Sequence, residues 1–157
     1  MPFTILISTR PDIISGVQED ETKFLKKEEK MATEKPKKAI LAVDDDPKHL
    51  ELLGIKLTEE GYRLIVVQSG KEALKTIKIE KPGLVLLDIL MPEMDGFETL
   101  KRIKAIDPDI PVTMVTAVWD NEEGRKCLEA GAYEYITKPV DFNHLKEVIL
   151  FKLFVGE

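Results

Sequence analysis

The stretch ILAVDDDPKHL, residues 40–50, runs from an apolar segment directly into three consecutive aspartates and then a proline. The apolar run suits a buried strand, and Pro47 suits the first turn of a helix, where its missing N–H is not needed. Between them stand three like charges. Clustered carboxylates repel one another, and a partly buried charge is costly unless something compensates it. Asp44, Asp45 and Asp46 are therefore either a solvated turn or acids that meet a cation.

Outward from this stretch the same two textures alternate. Short runs rich in Val, Ile and Leu recur as AILAV (39–43), RLIVV (63–67), LVLL (84–87), VTMV (112–115) and YEYIT (133–137). The middle runs are apolar at successive positions, as strands buried on both faces of a parallel sheet are. Between them lie helical spacings. Leu50, Leu53 and Leu57 share a face after Pro47, and Gly61 ends that helix. Ser69 caps a second, with Ala73, Leu74 and Ile77 inward and KPG (81–83) as its stop. A third runs from about Phe97 to Ile106, with Phe97, Leu100 and Ile103 inward. A fourth covers roughly Asn121 to Ala130 and is closed by Gly131. A fifth, capped by Asp141, continues to about Phe154. Parallel strands need crossover helices of one hand, so the fold class is α/β: a five-stranded parallel sheet with helices on both faces.

In such sheets ligands bind at the carboxyl ends of the strands. That edge receives the three aspartates from the first strand, Asp88 from the third, Thr116 from the fourth and Lys138 from the fifth. Carboxylates, a hydroxyl and an amine thus converge. A hard, all-oxygen site of this kind suits Mg²⁺. A carboxylate can also act as a nucleophile toward phosphorus, with metal and lysine neutralising charge.

The gross numbers set limits. The chain has 157 residues, 43% hydrophobic and 33% charged, as a soluble globular protein has. Residues 1–38 carry eight Lys/Arg against seven Asp/Glu, and the remainder fifteen against twenty-two. An acidic body argues against nucleic acid as a direct partner. With Cys127 as the single cysteine, no internal disulfide is possible, and a cytoplasmic address is the default. No apolar run approaches the ~20 residues of a membrane span, so no membrane partner is expected. Residues 1–36 read as a flexible or misassigned leader. MPFTILISTRP lacks the features of a secretion signal, ETKFLKKEEKMATEKPKK is a solvated tail or frayed helix, and Met31 is an alternative start. The folded domain is expected over 37–157.

Four pieces, in order, give the chain a family resemblance: VDDD after the first strand, LLDILMPEMDG around Asp88, TA at 116–117, and GAYEYITKP leading to Lys138 and Pro139. From about Lys37 to Phe154 the chain resembles a response-regulator receiver domain of two-component signalling, the chemotaxis-regulator-like module. The resemblance implies a flavodoxin-like (βα)5 fold. It implies that Asp88 is the phospho-acceptor and that Asp44 and Asp45 organise Mg²⁺, Asp45 as the direct ligand, with Asp88 and the backbone carbonyl of Leu90 completing the set. Thr116 and Tyr135 would be the switch pair, the hydroxyl moving toward the phosphoryl group and the ring turning inward behind it. Lys138 would contact the phosphate, its bond to Pro139 cis. The donor would be a sensor histidine kinase or a phosphotransfer protein. The downstream target would meet the face of helix four, strand five and helix five, where Cys127, Glu129, Tyr133 and Lys152 are candidate contacts.

By the same resemblance the module is no enzyme beyond its own phosphorylation and dephosphorylation, and it acts as a monomer or a phosphorylation-dependent dimer. Because little chain follows the fifth helix, a stand-alone receiver without an output domain is expected, the alternative being a receiver cut from a larger regulator. Gly83 departs from the family's usual Asp and affects only a turn. Leu90 and Val118 flank the acceptor and the switch threonine with apolar side chains, which points to a long-lived aspartyl-phosphate. Trp119 is unusual there and is expected half exposed.

Other readings stand beside these. A haloacid-dehalogenase-type Mg²⁺-dependent phosphohydrolase would also use Asp, but it needs Asp-x-Asp followed by small residues, whereas DDDPKH enters a helix directly. A pseudo-receiver would keep the fold and lose the chemistry, yet every residue the chemistry needs is present. Asp46 reads as a solvated neighbour or first-turn charge, and Asp95-Gly96 as the turn that starts the third helix. His49 and His144 read as surface residues, Met91 and Met94 as packing, and Cys127 as a helix residue without a redox role.

Overall fold

The computed structural model describes residues 21–26, 29, 38–118 and 120–155. The chain divides into two compact units, Met1–Lys35 and Pro36–Glu157. In the first, residues 21–26 and Glu29 are helical and exposed. The other readings made for residues 1–37, and that for Trp119, lie outside the described residues.

The second unit runs β1 (Ile40–Val43), α1 (Pro47–Glu59), β2 (Leu64–Val67), α2 (Gly70–Ile79), β3 (Leu84–Leu87), α3 (Gly96–Ile106), β4 (Val112–Thr116), α4 (Asn121–Glu129), β5 (Glu134–Thr137) and α5 (Phe142–Leu150). All neighbouring strands are parallel, in the order β2-β1-β3-β4-β5. The expected sheet is met. Alternate residues of each strand face opposite sides. Leu41, Val43, Val85, Leu87, Val112 and Met114 form one core with Ala73, Ile77, Leu100, Ile103 and Cys127 of α2, α3 and α4. On the other side Ile40, Ala42, Leu84, Leu86, Val115 and Ile136 pack with Leu50, Leu53 and Leu57 of α1 and Leu145, Val148 and Ile149 of α5. Each fully buried Leu or Ile contributes about 1.5–3 kcal/mol relative to exposure.

The helix starts are fixed by side chains that accept first-turn N–H groups: Asp46, Ser69, Asp95, Asp120 and Asp141. Asp46 is thus an N-cap, satisfying a donor left bare by the helix geometry, and more than a solvated neighbour. At the other ends Gly61 (φ 88°) and Gly131 (φ 105°) supply left-handed backbone. The fifth helix departs from expectation. Its α-helical part stops at Leu150, and Phe151–Val155 continue as a π turn. There Phe151 stacks on Tyr133, ring centroids 6.2 Å apart, with Lys152 Nζ 3.7 Å from the Tyr133 centroid. Gly83, read as a turn residue, also lies under Leu153, where a Cβ would collide.

Register positions the site. Val43 of β1 pairs with Leu87 of β3, so Asp44 and Asp88 each leave the sheet one residue later, and the Asp88 N–H donates to the Val43 carbonyl at 3.0 Å. Thr116 pairs with Thr137, and the Lys138 N–H donates to the Thr116 carbonyl at 2.8 Å.

Candidate functional site

Carboxylate oxygens of Asp44, Asp45 and Asp88 lie within 4.8 Å of one another. Asp44 and Asp88 are buried and Asp45 is exposed, so the cluster opens to solvent on one side. Lys138, arriving from β5, places Nζ 2.8 Å from Asp44 Oδ2 and 3.2 Å from Asp88 Oδ2. Asp44 Oδ1 accepts the Asp46 N–H at 2.9 Å. His49 Nδ1 lies 2.6 Å from Asp44 Oδ2. Burial works against the Asp44 charge, but the bonds from His49, Lys138 and the Asp46 backbone outweigh it and lower its pKa to about 2. Burial likewise opposes the Lys138 charge, and Asp44 and Asp88 raise its pKa above the ordinary lysine value. Both groups are ionised at neutral pH.

Three carboxylates face one lysine, and the balance is uneven. Asp88 Oδ1 is buried and has no hydrogen-bond partner. A buried carboxylate oxygen without a partner is expensive. An all-oxygen donor set with excess negative charge and one uncompensated oxygen fits a hard divalent cation such as Mg²⁺.

Around this cluster, Thr116 is fully buried and its Oγ1 accepts the Val118 N–H at 3.3 Å. The Tyr135 hydroxyl donates to the Val118 carbonyl at 2.6 Å. Both members of the expected switch pair therefore hold the same loop residue, one through each backbone group. Lys138-Pro139 is cis. Leu90 follows Asp88 by two positions, its side chain exposed. Gly96 N–H donates to the Ile89 carbonyl at 2.7 Å, and a Cβ on Gly96 would fall on the Asp88 carbonyl.

A family model for the response regulator receiver domain matches residues 40–150. This chain belongs to the response regulator receiver family. The receiver is 43% identical over 110 residues to the transcriptional regulatory protein ZraR of Salmonella typhimurium, which covers 70% of this chain and 25% of ZraR. It thus spans about a quarter of the length of that relative. Among solved structures it is similar to a CheY-like receiver domain protein from Methanospirillum hungatei (38% identity, TM-score 0.70, 74% of this chain and 93% of that one). It is also similar to a chain in the CheX-CheY-BeF3-Mg complex of Borrelia burgdorferi (32% identity, TM-score 0.69, 74% and 89%). Among the described residues, no helix of the receiver is long and apolar enough to cross a membrane.

Two sequence expectations need correction in this receiver. His49 is not a surface residue: its side chain is 13% exposed and bonded to Asp44. Pro47 makes His49 the third residue of α1, and helical side chains lean back toward the N-terminus, here onto the acids that precede it. That geometry was the available signal. Cys127 is not a contact residue of the α4–β5–α5 face either, because it is fully buried in the core under α4. Burial, reinforced by Glu123 and Asp95, pushes its thiol up to about 11, so it stays protonated. Met91 is buried in the same core, and Met94 packs beside Gly70.

Proposed function

We propose that this receiver is a phosphorylation-activated switch that accepts a phosphoryl group on Asp88 from a sensor histidine kinase or phosphotransfer protein. The observation that carries this reading is Asp88 itself: a buried carboxylate with Lys138 3.2 Å from one oxygen, the other oxygen unpartnered, and two further acids beside it. An Asp88 oxygen attacks the donor phosphorus. The P–N bond of a phosphohistidine breaks, its electron pair returns to the imidazole, and an acyl phosphate forms. Lys138 offsets charge on the phosphoryl oxygens, and the Thr116 hydroxyl leaves the Val118 N–H to donate to one of them. Tyr135, bonded to the Val118 carbonyl, follows the loop inward. Hydrolysis reverses the state: water attacks phosphorus, the bond to Asp88 breaks, and carboxylate and inorganic phosphate result. The module turns over no separate substrate.

Mg²⁺ would be held by Asp44 and Asp45, Asp45 directly, with Asp88 and the Leu90 carbonyl. When bound it supplies the positive charge that the acid cluster and the incoming phosphoryl group call for. The Borrelia relative is described with BeF3 and Mg, which supports the assignment. Leu90 and Val118 offer no group that positions an attacking water, so we read the aspartyl-phosphate as long-lived. The output is contact with a target protein through α4, β5 and α5, where Glu129, Tyr133 and Phe151 are exposed and Lys152 lies over the Tyr133 ring. We place this activity in the cytoplasm, by a monomer or a phosphorylation-dependent dimer.

Intact mass after incubation with acetyl phosphate and Mg²⁺ tests the reading. One added phosphoryl group on the native chain, lost in Asp88→Asn and blocked by chelator, is expected. No adduct on a folded, metal-binding native chain would make this a pseudo-receiver, and an adduct persisting in Asp88→Asn would move the acceptor elsewhere.

A further inference from the structure

His49 is the side chain at the acid site that the chemistry above leaves without a task. Its Nδ1 stands 2.6 Å from Asp44 Oδ2. Two lone pairs at that distance would repel, so Nδ1 carries the proton and donates. The same oxygen accepts Lys138 Nζ at 2.8 Å, while Oδ1 accepts the Asp46 N–H at 2.9 Å. Asp44 is thus gripped from its own turn, from α1 and from the end of β5. Only one of these grips has another engagement. Lys138 is the group that phosphorylation recruits, and without His49 its departure would leave Asp44 on the single backbone bond from Asp46, free to rotate.

We infer that His49 is a positioning residue: by donating Nδ1–H to Asp44 Oδ2 it keeps that carboxylate oriented for the cation while Lys138 moves to the phosphoryl group. The inference rests on the magnesium reading of the site. Hydrogen-bonded outer groups of a metal site, here Asp44 and His49 behind it, typically carry about 10–100-fold of metal affinity.

The test compares the native chain with His49→Leu, which has no donor, and His49→Asn, whose amide nitrogen reaches about as far as Nδ1. Nitrogen–proton correlation spectra of the metal-free native protein are expected to show the His49 proton on Nδ1. A neutral ring protonated at Nε2 alone would overturn the inference. Calorimetric Mg²⁺ titration is expected to show affinity about 10–100-fold weaker in His49→Leu and largely recovered in His49→Asn. Native affinity in His49→Leu, or equal loss in both variants, would overturn it. If His49→Leu does not fold, the His49→Asn titration and the native spectrum decide. A native chain that binds no Mg²⁺ would sink the magnesium reading instead, and the metal-free spectrum would still judge the grip on Asp44.

Discussion

Gly96 sets Asp88, the proposed acceptor, from behind. It opens α3 with its Cα pressed on the Asp88 backbone, so any side chain there must push the Asp88 loop away. Gly96→Ala is expected to cost about 1–3 kcal/mol, as overpacking does, and to slow phosphorylation, read by urea unfolding and intact mass. Thr113 of β4 makes the opposite case. Its hydroxyl is fully buried and unpartnered. Thr113→Val should therefore stabilise the domain by about 1 kcal/mol, raising Tm by roughly 4 °C, and calorimetry would show it. Neither property was legible in the sequence. Asp95-Gly96 announced a turn but not the backbone beneath it, and Thr113 sat inside an apolar run that reads the same with or without a partner. Asp44, Asp88 and Lys138 were legible because strand ends place them without help from packing. His49 was legible only in part: its place in the first turn leans it toward the acids, but the bond to Asp44 depends on a rotamer.

Among the helices of the second unit, α4 is the least anchored. Of its nine residues only Gly124 and Cys127 are buried, whereas α2 and α3 bury Ala73 and Ile77, and Thr99, Leu100 and Ile103. Few buried contacts mean a low free energy of local opening, so α4 amides are expected to exchange with solvent faster than those of α2 and α3. Gly124 adds to this, because glycine inside a helix costs about 1 kcal/mol relative to alanine. A Cβ there would meet the Tyr135 ring at 3.7 Å, an ordinary contact. Gly124→Ala should slow α4 exchange and stabilise the domain by up to about 1 kcal/mol, measurable by hydrogen exchange and denaturant unfolding. The helices were readable from period and caps: Leu50, Leu53 and Leu57 all fell inward as spaced. Strand rank was not. The run at β2 looked like the others, yet it forms one of the two sheet edges and leaves Val66 half exposed, because an apolar run does not say how many neighbours a strand has. The end of α5 was missed for a similar reason, its last apolar residues fitting an α-helix as well as a π turn.

Taken whole, the molecule concentrates negative charge at one sheet edge, and the consequence is thermodynamic. A ligand at 100 times its Kd adds about 2.7 kcal/mol to stability. Saturating Mg²⁺ should raise Tm accordingly and a chelator should reverse it. Asp45→Asn should abolish that response while leaving the metal-free protein at least as stable as the native one, since a like charge is removed. Thermal unfolding with and without Mg²⁺ checks both. The convergence behind this prediction was readable, because parallel topology brings Lys138 to Asp44 across 94 positions of sequence whatever lies between. β1 and β3 end level, and β4 and β5 end level, by backbone pairing alone. On the function proposed above, chemistry and recognition are therefore written in separate parts of the chain. If partners are chosen by the helix exteriors, as proposed, those can be rewritten while the strand-end side chains keep their spacing, so an engineer, or a lineage after gene duplication, can change who is addressed without rebuilding how the message is taken.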